Sequence, residues 1–206
     1  MKTIAIVSQK GGTGKTTLAV HLAVAAEQHG KSTVIVDLDP QASATSWNDL
    51  RKADTPAVVS AQAARLPQVL KAAETHGAAL AILDTAPHSE TAALAAARQA
   101  DLILIPCRPA ILDLKAISLT VDLVKLAGKQ AYVIFNAVPP RGSLVQEASS
   151  AIRSYGVPVL PSVLTHRAVF MHALTEGLVA QEYEPNGKAA AEILRVYTYA
   201  CKHVRL

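Results

Sequence analysis

Cysteine is scarce in this chain, and its two copies, Cys107 and Cys201, lie far apart with no C-x-x-C spacing. That excludes a disulfide framework, a cysteine-based zinc site and a thiolate-held iron–sulfur cluster, and it suits a reducing cytoplasm. The seven histidines form no metal-like spacing and read as surface or core residues. Aromatic residues make up only 4% of the chain, too few for a base-stacking platform of the kind that holds single-stranded nucleic acid. No apolar run reaches the length of a membrane span, and the first residues enter a strand, so neither a span nor a signal peptide is expected. Internal repeats, low-complexity tails and linkers are also missing.

What remains is a chain of 206 residues, half of them hydrophobic, which suits one compact domain over residues 1–206 around a buried sheet. The net charge of +4 leans towards polyanionic partners, and its distribution says more than its size. After Gly187 the chain carries Lys188, Arg195, Lys202, His203 and Arg205 against one acid, Glu192, so the final helix is basic.

Strand-like runs alternate with helical patterns from end to end, the order of βαβ units. Apolar blocks at 3–8, 33–37, 80–84, 102–105, 132–135 and 157–160 read as strands buried on both faces. Helical patterns fall at 16–29, 43–53, 62–76, 90–99, 113–127, 144–154, 166–175 and 187–204. The alanine-rich stretch from Thr91 to Arg98 has strong helix propensity and little bulk. The fold class is therefore α/β, a mainly parallel twisted sheet with helices on both faces.

The chemistry is concentrated after the first strand, in Lys10-Gly11-Gly12-Thr13-Gly14-Lys15-Thr16-Thr17. Glycines let backbone N–H groups close around phosphate, a lysine reaches the terminal phosphates and a hydroxyl holds Mg²⁺. Gly14, Lys15 and Thr16 fill the last three places of that motif, and the helix starting at Thr16 adds its partial positive charge. The loop is deviant: Gln9 occupies the first glycine position, and an additional lysine, Lys10, stands beside it. A P-loop nucleotide-binding fold follows.

Ligands of an open parallel sheet bind at the carboxyl ends of its strands. One strand ends in Asp37-Leu38-Asp39-Pro40 and another in Asp84-Thr85-Ala86-Pro87, placing carboxylates at the edge that carries the loop. Each alone also reads as a turn or as a cap of the next helix. Together with the loop they have a metal and a water to organise.

These three motifs together resemble the ParA/MinD family of deviant Walker-A P-loop ATPases, specifically the short ParA-type partition proteins. Looser similarity continues through Ile105-Pro106, Asp113-Leu114, Asn136 and the segment from Arg167 to Gly177. The resemblance implies an ATPase that uses ATP and Mg²⁺ and forms an ATP-dependent homodimer. Lys10 would cross to the partner subunit's phosphates, with Lys15 and Asp39 completing the catalytic set. Gly11, Gly12, Thr13, Gly14, Lys15, Thr16 and Thr17 would hold the nucleotide, and Asn136 would recognise adenine. Thr16, Asp37 and Asp84 would serve the metal shell. Non-specific double-stranded DNA would be the dimer's surface, with Arg167, Lys188, Arg195, Lys202 and Arg205 as candidate phosphate contacts and a nucleoid-associated, cytoplasmic location. A ParB-like adaptor or centromere-binding protein would stimulate hydrolysis, and the expected role is segregation of plasmid or chromosomal DNA. The alternatives are positioning of a protein cargo and MinD-like association with a membrane. No membrane contact is expected, since the apolar stripe of the last helix (Ile193, Leu194, Val196, Tyr197, Ala200, Cys201 and Val204) suits core packing better than a lipid face. Partition relatives often carry a DNA-binding domain ahead of the ATPase; this chain starts at its first strand, so operator binding is not expected.

Overall fold

The computed structural model describes residues 1–206. Six parallel strands form one sheet: β1 (Lys2–Ile6), β2 (Thr33–Asp37), β3 (Ala57–Ser60), β4 (Leu80–Asp84), β5 (Leu102–Cys107) and β6 (Ala131–Phe135). They lie in the order β3-β2-β4-β1-β5-β6, so β1 is central and flanked by β4 and β5. The helices are α1 (Lys15–Gln28), α2 (Ser43–Leu50), α3 (Leu66–Thr75), α4 (Glu90–Gln99), α5 (Ile111–Ala127), α6 (Leu144–Ser154), α7 (Ala168–Thr175), α8 (Ala180–Tyr183) and α9 (Lys188–Val204).

Successive side chains of a strand point to opposite faces, and here both faces are covered. Ile4, Ile6, Ile35, Ile82, Leu104 and Ile134 pack under α1, α2 and α7–α9. Ala5, Val36, Leu83, Ile103, Val133 and Phe135 pack under α3–α6. At about 1.5–3 kcal/mol for each large aliphatic side chain removed from water, these two layers drive folding. They also explain why the strands read as continuous apolar runs.

Three elements differ from the sequence reading. Ala57–Ser60 is a strand, but as an edge strand it is largely exposed and lacks the apolar run that marks the others. Residues 157–160 form no strand: Val159 makes one parallel bridge to Val133, and Pro158 has no N–H with which to extend a ladder. The four-residue α8 is too short to show a period.

The segment from Gly177 to Glu182 locks α2 in place. The Arg51 guanidinium donates to both carboxylate oxygens of Glu182 at 2.7 and 2.9 Å and to the Gly177 carbonyl at 3.1 Å. Trp47 Nε1 donates to the Leu178 carbonyl at 3.1 Å. Gly177 has φ +69°, and a Cβ there would lie 2.5 Å from the Leu50 backbone, so only glycine permits this approach.

Candidate nucleotide site

The loop between β1 and α1 turns through left-handed backbone at Gly12 (φ 70°) and Gly14 (φ 91°). The first turn of α1 has no side-chain cap, which leaves its N–H groups for an anion. A Cβ at Gly14 would collide with the Asn136 amide. Asn136 Nδ2 donates to the Thr13 carbonyl at 2.8 Å, and its Oδ1 accepts from the Ala137 N–H at 2.8 Å. Both polar ends of Asn136 thus brace the loop from β6. One N–H and one lone pair of the amide remain for the adenine contact expected of it.

A cleft of about 540 Å³ runs along the loop and is lined by Gly12, Lys15, Thr16, Asp39, Trp47 and Leu174, among others. Lys15 is buried, donates to the Lys10 carbonyl at 3.3 Å and has its pKa lowered by burial, with Asp84 and Asp39 pulling the other way. Lys10 does not line this cleft. Its Nζ donates to Asp113 Oδ2 at 2.8 Å, while Arg108 Nε donates to Asp113 Oδ1 at 3.0 Å. Asp113, from the first turn of α5, is buried between these two cations.

The three aspartates have separate tasks. Asp37 is fully buried, and its carboxylate accepts from the N–H groups of Asp39, Ala44 and Thr45 and from the Thr45 hydroxyl, at 3.1–3.2 Å. It caps the start of α2 and shapes the turn that presents Asp39, so the metal-shell role expected of it is taken up by backbone donors. Asp39 is half-buried in the cleft, with Oδ1 accepting from the Gln41 N–H at 2.9 Å. Asp84 is fully buried, and neither of its oxygens has a hydrogen-bond partner. Burial pushes its pKa up to about 7. The Thr16 hydroxyl, near the carboxylate but outside hydrogen-bonding geometry, and Lys15 oppose that rise, while Asp37 and Asp39 add to it.

A buried carboxylate without a donor is costly unless a cation completes it. Asp84 beside Thr16 and the phosphate loop therefore fits a magnesium–nucleotide complex, with Thr16 and Asp84 as the oxygen donors. Gln9, at the loop's first glycine position, has a buried Nε2 without a partner, while its N–H donates to Thr120 Oγ1 at 3.0 Å.

Sequence reasoning did not assign the partners that tune this site. His21 on α1 is wholly buried; its Nε2 accepts from the Ala180 N–H at 3.0 Å, so Nδ1 carries the proton donated to the Thr17 carbonyl at 2.6 Å. Burial lowers its pKa to about 4, keeping it neutral. His21 thereby ties the end of the loop to α8. Its only signal in the sequence was a polar residue inside an otherwise apolar helix.

The candidate DNA contacts divide. Lys188, Arg195 and Lys202 recur every seven residues on the exposed face of α9, about 10 Å apart at 1.5 Å per residue, and Arg205 is exposed just beyond them. Arg167 does not join this row. Its guanidinium donates to Glu192 Oε1 at 2.7 and 3.3 Å, and Glu192 also holds the N–H and hydroxyl of Thr165. The single acid of the basic segment is thus a buried anchor. Ile193, Val196, Tyr197, Ala200 and Val204 of α9 are buried against the sheet layer, which takes most of the stripe into the core, while Cys201 is only partly buried and Leu194 is exposed. No helix is long and apolar enough to cross a membrane.

Residues 4–179 match the family described as the CobQ/CobB/MinD/ParA nucleotide binding domain. The chain is 30% identical over 198 residues to the maintenance of carboxysome distribution protein A of Halothiobacillus neapolitanus, covering 92% of this chain and 91% of that protein. Identity to the protein of the same name from Gloeobacter kilaueensis is 34% over 196 residues, covering 93% and 88%. In structure it is similar to the septum site-determining protein MinD of Pyrococcus horikoshii in complex with Mg-ADP, with a TM-score of 0.80 at 22% identity over 98% of this chain and 96% of that one.

Proposed function

The chain belongs to the CobQ/CobB/MinD/ParA family of nucleotide-binding ATPases, and from that premise we propose that it positions a protein cargo by an ATP-driven cycle of dimerisation and DNA binding. Segregation of plasmid or chromosomal DNA, the role first expected from the sequence, has less support, because two relatives of 30% identity or more, matched along most of their length, are carboxysome distribution proteins.

The observation that carries the switch is the position of Lys10. It stands outside its own cleft on Asp113, which supports a lysine kept for the facing subunit rather than for its own phosphates. Lys15 and the α1 N-terminus hold the phosphates, Thr16 and Asp84 hold the metal, and Asp39 orients the attacking water. Bound magnesium supplies charge neutralisation at the terminal phosphate. When Lys10 leaves Asp113 for the facing subunit, Arg108 stays as the counter-charge of that buried carboxylate, so the exchange leaves no bare anion. Hydrolysis removes the contacts that hold the dimer and returns Lys10 to Asp113. In the dimer, the rows Lys188–Arg195–Lys202 of two subunits together grip DNA phosphates. An adaptor bound to the cargo stimulates hydrolysis.

The test is binding to random-sequence duplex DNA with ADP and with ATP–Mg²⁺ at several salt concentrations, beside Lys15→Gln. Salt-sensitive binding that requires ATP and is lost in the variant supports the reading. ATP-dependent dimerisation without DNA binding overturns it.

A further inference from the structure

Residues 177–187 join the nucleotide cleft to the basic row of α9. They follow α7, pass through α8 and end at Gly187, next to Lys188, the first cation of that row. On the way they are tied to both walls of the cleft. The α2 wall, which lines the cleft with Ser43, Ser46 and Trp47, is bonded through Trp47 to the Leu178 carbonyl and through Arg51 to the Gly177 carbonyl and the Glu182 carboxylate. The α1 wall holds the middle of the stretch. His21 Nε2 accepts the Ala180 N–H at 3.0 Å, and its Nδ1–H donates at 2.6 Å to the carbonyl of Thr17, itself a lining residue of the cleft. Gln181 Nε2 donates to the His21 carbonyl at 2.8 Å.

A neutral imidazole carries its donor and its acceptor at fixed points of a rigid ring, so His21 passes a displacement of Thr17 on to Ala180 instead of absorbing it. The far end is equally stiff. The Glu184 N–H donates to the Ala180 carbonyl at 2.9 Å and the Gly187 N–H to the Glu184 carbonyl at 2.8 Å. Gly187 lies so close to Glu184 that a Cβ would stand 2.9 Å from its carbonyl oxygen. The middle of the stretch, by contrast, is not fully satisfied where it stands. Gln181 is buried and its Oε1 has no donor, an arrangement that is costly to keep. Beside it lies a cavity of about 360 Å³ between α1, the α8–α9 connection and α9, lined also by Gln28, His29, Asn186 and Leu194. An unpaired acceptor and space to move occur together, as they do in a segment with a second position.

We propose that residues 177–187 form a strut that reads the state of the cleft and sets the DNA-facing start of α9, with His21 and Gln181 as its positioning residues. When α1 and α2 close on ATP and magnesium, both walls move the stretch as one body, and the first turn of α9 with Lys188 takes its DNA-binding place. A chain of packed, hydrogen-bonded groups with two arrangements is the physical requirement for such coupling. Dimerisation brings two basic rows together, and the strut aligns each row. This inference rests on the DNA binding put forward under the proposed function.

The test uses the full chain, Gln181→Met and His21→Leu. Gln181→Met keeps the length of the side chain and removes the unpaired oxygen together with the bond to His21, so it folds even where His21→Leu, which strands the Ala180 N–H, does not. Hydrogen exchange over residues 177–190 is measured with ADP and with ATP–Mg²⁺. The affinity for random-sequence duplex DNA is measured with ATP–Mg²⁺ at protein concentrations where dimerisation is complete. In the wild type, ATP is expected to change the exchange of the stretch relative to ADP. In the variants that response is lost, ATP-dependent dimerisation keeps its wild-type midpoint, and the dimer binds DNA about tenfold more weakly, a usual size for coupled sites. A merely structural role would lower thermal stability and leave the DNA affinity of the folded dimer unchanged. The inference is overturned by a wild type whose stretch exchanges alike with ADP and ATP, or by variant dimers that bind DNA as tightly as wild type. Variants that no longer dimerise overturn it as well, since His21 and Gln181 then serve the nucleotide site alone. A stretch that responds to ATP in a protein that binds no DNA supports the strut and overturns the proposed function instead.

Discussion

Replacing Asp84 by asparagine should make the metal-free protein more stable at pH 8 while destroying its use of magnesium. The carboxylate is buried with neither oxygen hydrogen-bonded, and its pKa is pushed from 3.8 up to about 7. The folded state therefore holds a proton that the unfolded chain releases. The associated stability is complete below about pH 4 and is lost as pH rises towards and through about 7. A rise of that size corresponds to about 4 kcal/mol. The buried asparagine amide returns about 1–3 kcal/mol of that through its own missing partners, which leaves a net gain of about 1–3 kcal/mol at pH 8. Urea unfolding in EDTA at pH 5 and pH 8 measures it: the variant should lead at pH 8 and lose that lead at pH 5. With Mg-ADP the order should reverse, because only wild type gains ligand stabilisation. A variant less stable than wild type at both pH values, by an amount independent of pH, would refute the assignment of Asp84 as a carboxylate awaiting a cation.

Asp37→Ala should act in the opposite sense, because three backbone N–H groups and the Thr45 hydroxyl lose their acceptor; a loss of about 3–4 kcal/mol is expected in the same unfolding assay, with or without metal. Gly177→Ala puts a Cβ against the Leu50 backbone at positive φ and should cost about 2–3 kcal/mol, read from the urea midpoint. Asp113→Asn releases Lys10; allowing for the solvent at the lysine end, each pair is worth about 1 kcal/mol and each dimer frees two, so ATP-dependent dimerisation should occur at about thirtyfold lower protein concentration by light scattering. Replacing Lys188, Arg195 and Lys202 together by alanine removes contacts from both rows of the dimer and should lower the salt slope of DNA binding by about five, while replacing Arg167 should chiefly lower stability through Glu192.

The parts of the fold that are buried on both sides were legible, because burial writes itself as uninterrupted apolar sequence: β2 and β4 coincide with the expected runs, and β1, β5 and β6 overlap theirs with ends that differ by one or two residues. The edge strand β3 was not, since half its environment is solvent and its composition follows that. In the site, the loop glycines and the two lysines carry their chemistry in their order along the chain. The difference between Asp37 and Asp84 does not. Both are buried aspartates ending adjacent parallel strands, in register with each other, and only the backbone donors of α2 around one, and their lack around the other, separate a cap from a candidate metal ligand. The same holds for Arg167, a cation in a basic region whose partner, Glu192, lies 25 residues away. Pairings across such distances are set by packing, which local sequence does not record.

Lys10 is central to the account, and a mixing experiment tests it most directly. Lys10→Ala retains its own Asp39, and Asp39→Ala retains Lys10, so each should be inactive alone. If Lys10 serves the facing subunit, a mixed dimer contains one site with both groups, and an equimolar mixture should recover on the order of a quarter of wild-type ATPase activity. If the mixture stays as inactive as its components, Lys10 does not complete the facing subunit's site and the account of the switch is wrong.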